Sequence, residues 1–111
     1  MPYYSLLCLI LTLANALTLD TPSTAWEVGD NTTVNWSSTS EDPSTFALQL
    51  YEIYYNQLYT VSDDVATSLG SLTFPVPVVS QGSAWTLRAV NASDTTQAPY
   101  AQSGVFGIWA I

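Results

Sequence analysis

Histidine and lysine are absent from this chain, and Arg88 is its single basic residue. The usual general bases are therefore missing, and so is the amine that Schiff-base catalysis needs. Cys8 is the only cysteine. It lies in an apolar N-terminal stretch, so no disulfide framework is available to the rest of the chain. A zinc site lacks its nitrogen and sulfur ligands. With nine acidic residues against one base, the net charge is −8. No basic patch can neutralise phosphates, which excludes nucleic acid as a partner, and anionic lipid surfaces are disfavoured for the same reason. Charged residues make up only 9% of the chain, far below the usual quarter. Neither an enzymatic role nor a cofactor is expected.

What is present is a 48% apolar composition rich in Ser and Thr, which suits a β-rich extracellular domain. The 111 residues make one domain. Leu6 to Leu13 form an apolar run ahead of Ala14-Asn15-Ala16. A short apolar segment before a small-x-small site reads as a secretory signal peptide over residues 1–16, too short to span a bilayer permanently. It departs from the pattern in one respect, since Met1 to Ser5 carry no Lys or Arg. Residues 17–111 are then the folded domain.

The chain is organised around Leu17 to Ser38. This stretch reads as a short strand, a break at Pro22, an anchor at Trp26, a turn at Gly29-Asp30 and a second strand. In that second strand Val34 and Trp36 face inward and Thr33, Asn35 and Ser37 outward, by the period of two that a half-buried strand shows. Phe46, Leu48 and Leu50 alternate with Ala47, Gln49 and Tyr51 in the same way, the second set outward. A hairpin is expected around Asn56-Gln57, a turn at Ser62-Asp63-Asp64, and a weaker strand from Val65 to Leu72 broken near Gly70. Thr73-Phe74-Pro75-Val76-Pro77 cannot be a central strand, because proline donates nothing to a ladder, and reads as an edge strand or a crossover between sheets. Ala84 to Val90 is a strand with Trp85, Leu87 and Ala89 inward, Asn91 to Ala98 a polar loop, and Gly104 to Ile108 the closing strand. The four tryptophans are expected to carry much of the core. No helical periodicity and no internal repeat is found. About seven short strands at regular spacing predict an all-β, antiparallel β-sandwich of the immunoglobulin or fibronectin-III kind, with Greek-key connections.

These residues carry a resemblance. Pro22, Trp26, Gly29, Val34-Asn35-Trp36, Phe46 to Leu50, Phe74 to Pro77, Trp85 to Ala89 and Ser103 to Ile108 together resemble the N-terminal immunoglobulin-like domain of the fungal Ser/Thr-rich, GPI-anchored membrane protein family. That family is related to the yeast Kre/Knh proteins of cell-wall β-1,6-glucan assembly. The resemblance implies a secreted or cell-wall location, with wall polysaccharide or other wall proteins as partners. Family members usually continue into a Ser/Thr-rich stalk that often ends in a GPI signal. The residues up to Ile111 hold neither, so no stable membrane anchor is expected.

Candidate sites are few. Asn31-Thr32-Thr33, Asn35-Trp36-Ser37 and Asn91-Ala92-Ser93 match the N-glycosylation pattern, with Asn35 on an outward strand face and Asn31 and Asn91 in turns. Glu41-Asp42 and Asp63-Asp64 are adjacent acids in loops. They lack the spacing of a glycosidase pair or a calcium loop and read as solvated turns. Arg88 reads as a strand-surface residue paired with an acid. Tyr51, Tyr54, Tyr55 and Tyr59 cluster around one hairpin. Exposed rings beside Asn, Gln and acids can stack on the apolar faces of sugars, and the plainer alternative is that they are ordinary cross-strand partners. Two readings follow: a non-enzymatic cell-wall domain, and a sandwich module that binds neutral polysaccharide on its tyrosine hairpin. N-terminal sequencing of secreted material should begin at Leu17; retention of Met1 to Ala16 would overturn the secretory reading.

Overall fold

The computed structural model describes residues 16–110. The signal-peptide reading, with Cys8, therefore falls almost wholly outside the described residues. Among the described residues nine strands form: β1 Thr18–Leu19, β2 Trp26–Glu27, β3 Asn31–Ser37, β4 Thr45–Glu52, β5 Gln57–Ala66, β6 Ser71–Pro75, β7 Gly82–Val90, β8 Ala101–Gln102 and β9 Phe106–Trp109. They build two sheets, one ordered β1-β3-β6 and the other β2-β9-β7-β4-β5, with β8 added alongside β7. The chain changes sheet between β1 and β2, between β2 and β3, between β3 and β4, between β5 and β6, and between β6 and β7. This is the all-β sandwich predicted, with two two-residue strands, β2 and β8, added to the expected set.

The N-terminal stretch divides its pairing between the sheets. Thr18 and Leu19 pair antiparallel with Ser37 and Trp36 of β3. Pro22 then interrupts, lacking the N–H that a continued ladder requires, and the chain crosses to the other sheet. There Trp26 and Glu27 run parallel to Ile108 and Trp109 of β9, the one parallel pair among the described strands. Gly29 sits at φ +93° and lets the chain turn back into β3. Gly70, at φ +75°, ends a 3₁₀ turn over Thr67–Leu69 and turns the chain into β6. With Pro75 at its end, β6 lies on the edge of the small sheet, paired only with β3. The prolines confine it there, as expected.

Leu17, Leu19, Val34 and Trp36 meet Phe46, Leu48, Leu50, Val65, Trp85, Leu87, Phe106 and Ile108 in one core. Trp36 packs edge-on against Phe46, their centroids 5.2 Å apart, and its indole N–H donates to the Thr67 carbonyl at 2.8 Å. Trp26 contacts Phe106 at 4.6 Å and Phe74 at 5.7 Å. The Trp85 indole N–H donates to the Ser80 carbonyl at 2.9 Å. Trp109 departs from the expectation. It is 46% exposed, because it falls on the outward phase of β9 while Phe106 and Ile108 take the inward one.

Three other expectations are corrected. Ser62-Asp63-Asp64 is not a turn but the middle of β5. The strand absorbs these residues through two register shifts against β4, at Phe46/Leu48 and Leu48/Gln49, as bulges do. Ala47, Gln49, Thr86 and Val90, assigned outward, are buried. Strands β4 and β7 lie inside the large sheet, and neighbouring side chains lie over their outer face: Gln49 reaches Thr60 at 3.4 Å and Gln102 reaches Thr86 at 3.2 Å. Asp42 is buried rather than solvated, at 9% exposure.

Trp36→Ala should lower stability by about 3–5 kcal/mol, the range for a large aromatic truncated in a core. Denaturant unfolding measures it. A loss below about 1 kcal/mol would mean that the contact with Phe46 contributes little.

Candidate functional site

The β4–β5 hairpin turns through Ile53, Tyr54, Tyr55 and Asn56. Its geometry is set by the last residue of β4. The Glu52 side chain is buried at 5% exposure, and it receives the Tyr54 N–H on Oε1 at 2.9 Å and the Tyr55 N–H on Oε2 at 2.8 Å. One carboxylate thus satisfies two turn amides that the ladder cannot pair. Asn56 completes the turn at φ +56°, a left-handed conformation that asparagine tolerates better than most residues. The Tyr51 hydroxyl donates to the Asn56 side-chain oxygen, tying the turn to β4.

This arrangement projects two consecutive rings into solvent. Tyr54 is 78% exposed and Tyr55 80%. Both border an open cavity of about 400 Å³ between the turn and the segment Ser80 to Ala84, with Glu52 and Gln57 also in its wall. Consecutive residues of an extended strand point to opposite faces, but these two lie in the turn itself, where strand alternation does not apply.

The other two tyrosines are placed apart. Tyr51 is opposite Leu58 and Thr86, whereas Tyr59 is opposite Leu50, one register position along. Successive positions point to opposite faces, so Tyr51 and Tyr59 cannot share a platform. Tyr51 is half-buried, and the Arg88 guanidinium lies 4.7 Å from its ring centroid. The chain's one cation thus packs on an aromatic face, a favourable contact, rather than beside the acid expected of it. Its Nε is buried with no hydrogen-bond partner among the described residues. Tyr59 is partly exposed and borders a second, more open hollow with Leu58, Val78 and Trp85.

The sequons occupy two regions. Asn31 and Asn35 are exposed and share the outer face of β3 with Thr33, whose hydroxyl meets that of Thr73 at 2.7 Å. Asn91 is half-buried in the loop after β7. Its side-chain oxygen accepts the Ser93 N–H at 2.9 Å, and its amide donates to Gln97 at 3.2 Å. In the same loop Asp94 is held below the usual carboxylate range by the Thr96 hydroxyl, assisted by the Thr96 N–H.

Residues 21–108 match the family model described as the Kre9/KNH-like N-terminal Ig-like domain. The match spans most of the chain. The chain belongs to this family. No curated protein matches it. The Kre9/KNH-like family is associated with the fungal cell wall and is not a known enzyme family. Among the described residues no helix is long and apolar enough to cross a membrane.

Sequence reasoning missed Glu52, which holds the turn, and the segment Ser80 to Ala84 across the cavity. A glutamate placed two and three residues before turn amides is a recognisable side-chain-to-backbone pattern. Nothing in the sequence pairs the distant segment with it. Glu52→Ala should destabilise the fold by about 2–3 kcal/mol, since hydrogen bonds to a charged group contribute about 1.5–3 kcal/mol. Amide exchange at Tyr54 and Tyr55 should accelerate more than elsewhere. Unchanged exchange at those two amides would show that Glu52 does not shape the turn.

Proposed function

We propose that this chain is a secreted, non-enzymatic cell-wall domain that takes part in organising β-glucan by holding neutral polysaccharide at the Tyr54–Tyr55 turn. The observation that carries this reading is the pair of consecutive, highly exposed rings braced by buried Glu52 at the rim of a cavity. Leaving two large rings in water on a stable turn calls for a partner. Sugar rings present apolar faces for stacking and hydroxyls for hydrogen bonds. Gln57, Ser80, Gln81 and Ser83 stand around the same cavity as donors and acceptors. A net charge of −8 is compatible with a neutral glucan and repels anionic polymers.

A second reading rests on the neighbouring edge. Strand β5 is the last strand of its sheet and carries exposed Leu58 and Tyr59 beside exposed Val78. An open edge with apolar side chains suits another wall protein that adds a strand.

Titration with soluble β-glucan oligosaccharide, followed by backbone NMR, distinguishes the two. In the first reading, signals from Tyr54, Tyr55 and Gln81 to Ser83 shift, the shifts survive high salt because stacking is not ionic, and Tyr54→Ala with Tyr55→Ala abolishes them. An unchanged spectrum at millimolar oligosaccharide would overturn the polysaccharide reading and favour the wall-protein one.

A further inference from the structure

The carboxylate of Asp42 is almost enclosed, at 9% exposure. Its Oδ2 accepts the Thr39 N–H at 2.8 Å. Its Oδ1 reaches back across the sequence to accept the Ala16 N–H at 2.8 Å and the Leu17 N–H at 3.1 Å. A buried carboxylate is stable only with donors and, best, with a countercharge. No side chain supplies one here. Lys and His are absent, and the single Arg88 lies against Tyr51 in the large sheet. Among the described residues, the cavity beside Asp42 is lined by Ser38, Thr39, Ser40, Pro43, Ser44, Thr67 and Ser68, so Asp42 is the one ionisable group in that lining. Glu41, next in the chain, is exposed and takes the Ser40 hydroxyl instead. The only nitrogens that can bring positive charge to Asp42 are main-chain ones.

Resting on the reading of residues 1–16 as a leader, we propose that the α-ammonium released on Leu17 by cleavage of the Ala16–Leu17 bond binds Asp42 as an internal ion pair that fastens the start of the fold. The step is a hydrolysis by a leader peptidase. Water adds across the bond, the C–N bond breaks, Ala16 leaves with a carboxylate, and the Leu17 nitrogen takes up protons to become an ammonium. That ammonium has three N–H donors in the place of the amide that already points at Oδ1. The position is selective. The Leu17 side chain is buried as the first residue of the core, and Thr18 and Leu19 pair directly with Ser37 and Trp36. A cut one residue later would remove that core side chain. A cut one residue earlier would present Ala16 to the same oxygen, but it would put Leu13 and Asn15 where a leader peptidase reads small residues. Because Leu17 is buried, hydrolysis precedes folding.

The protein secreted from a eukaryotic host tests this, and the absence of lysine makes the α-amine the one amino group an acetylating reagent can reach. Sequencing should find Leu17 first; Ala16 or any other residue overturns the site. Acetylation in denaturant followed by refolding should lower the Tm of the wild-type chain by roughly 4–8 °C and leave that of Asp42→Asn nearly unchanged. An equal fall in both overturns the ion pair. Should Asp42→Asn fail to fold, the α-amino pKa of the wild-type protein decides. An ion pair raises it above the usual value of about 7.7–8.0, and a value in or below that range overturns the proposal. None of these outcomes depends on sugar binding.

Discussion

Aromatic contacts between the two sheets hold this sandwich together. Trp36 on β3 meets Phe46 on β4, and Trp26 on β2 meets Phe74 on β6. Each pair takes one ring from each sheet, so each fastens the layers directly. The described residues contain no cysteine that could supply a covalent alternative. Edge-on aromatic pairs add about 0.5–1.5 kcal/mol beyond their buried area. That increment is useful in a domain of this size, whose total stability is about 5–15 kcal/mol. The indole N–H of Trp36 also finds the Thr67 carbonyl, so its burial leaves no polar atom unpaired.

Scarcity of cations shapes the rest. A chain with nine acids and one arginine cannot settle its carboxylates by salt bridges. Glu52 and Asp42 take backbone N–H donors instead, and exposed Asp94 does the same on a smaller scale. In each case the carboxylate orders a turn. Glu52 fixes the tyrosine turn, Asp42 joins the Thr39 loop to the first strand, and Asp94 shapes the loop after β7. Acids that look dispensable in the sequence therefore act as the pins of the loops. The single cation is spent on an aromatic face, where Arg88 covers Tyr51.

Legibility in the sequence followed the kind of signal each element carries. Strand β3 was legible because Val34 and Trp36 alternate with Asn35 and Ser37. The edge position of β6 was legible because proline forbids a central place. Strand β5 was not, since Ser62, Asp63 and Asp64 look like a turn and only the bulges against β4 show otherwise. The parallel pairing of β2 with β9 was invisible, because two residues carry no period. The tyrosine cluster was visible as composition, yet its division was not: register alone separates Tyr51 from Tyr59, and the turn alone brings Tyr54 and Tyr55 together. Asp42 carried a faint signal, an acid three residues after Thr39 that reaches back to its N–H, as in a capping box. Its contact with Leu17 has no sequence signature at all.

The outer face of the large sheet and the Tyr54–Tyr55 turn differ in character, and that difference is what favours the turn in the proposed reading. The outer face of β4 and β7 is closed by its own side chains, Gln49 with Thr60, Thr86 with Gln102, and Arg88 over Tyr51. A polymer laid on that face would meet groups that already have partners and would have to displace them. The Tyr54–Tyr55 turn has the opposite character. Its backbone amides are satisfied from within by Glu52, so the backbone that carries the two rings is fixed by the fold itself. Fixing a backbone in advance lowers the ordering entropy that any association at a turn must overcome. Rigidity in the carboxylate beneath and exposure in the rings above belong to one arrangement.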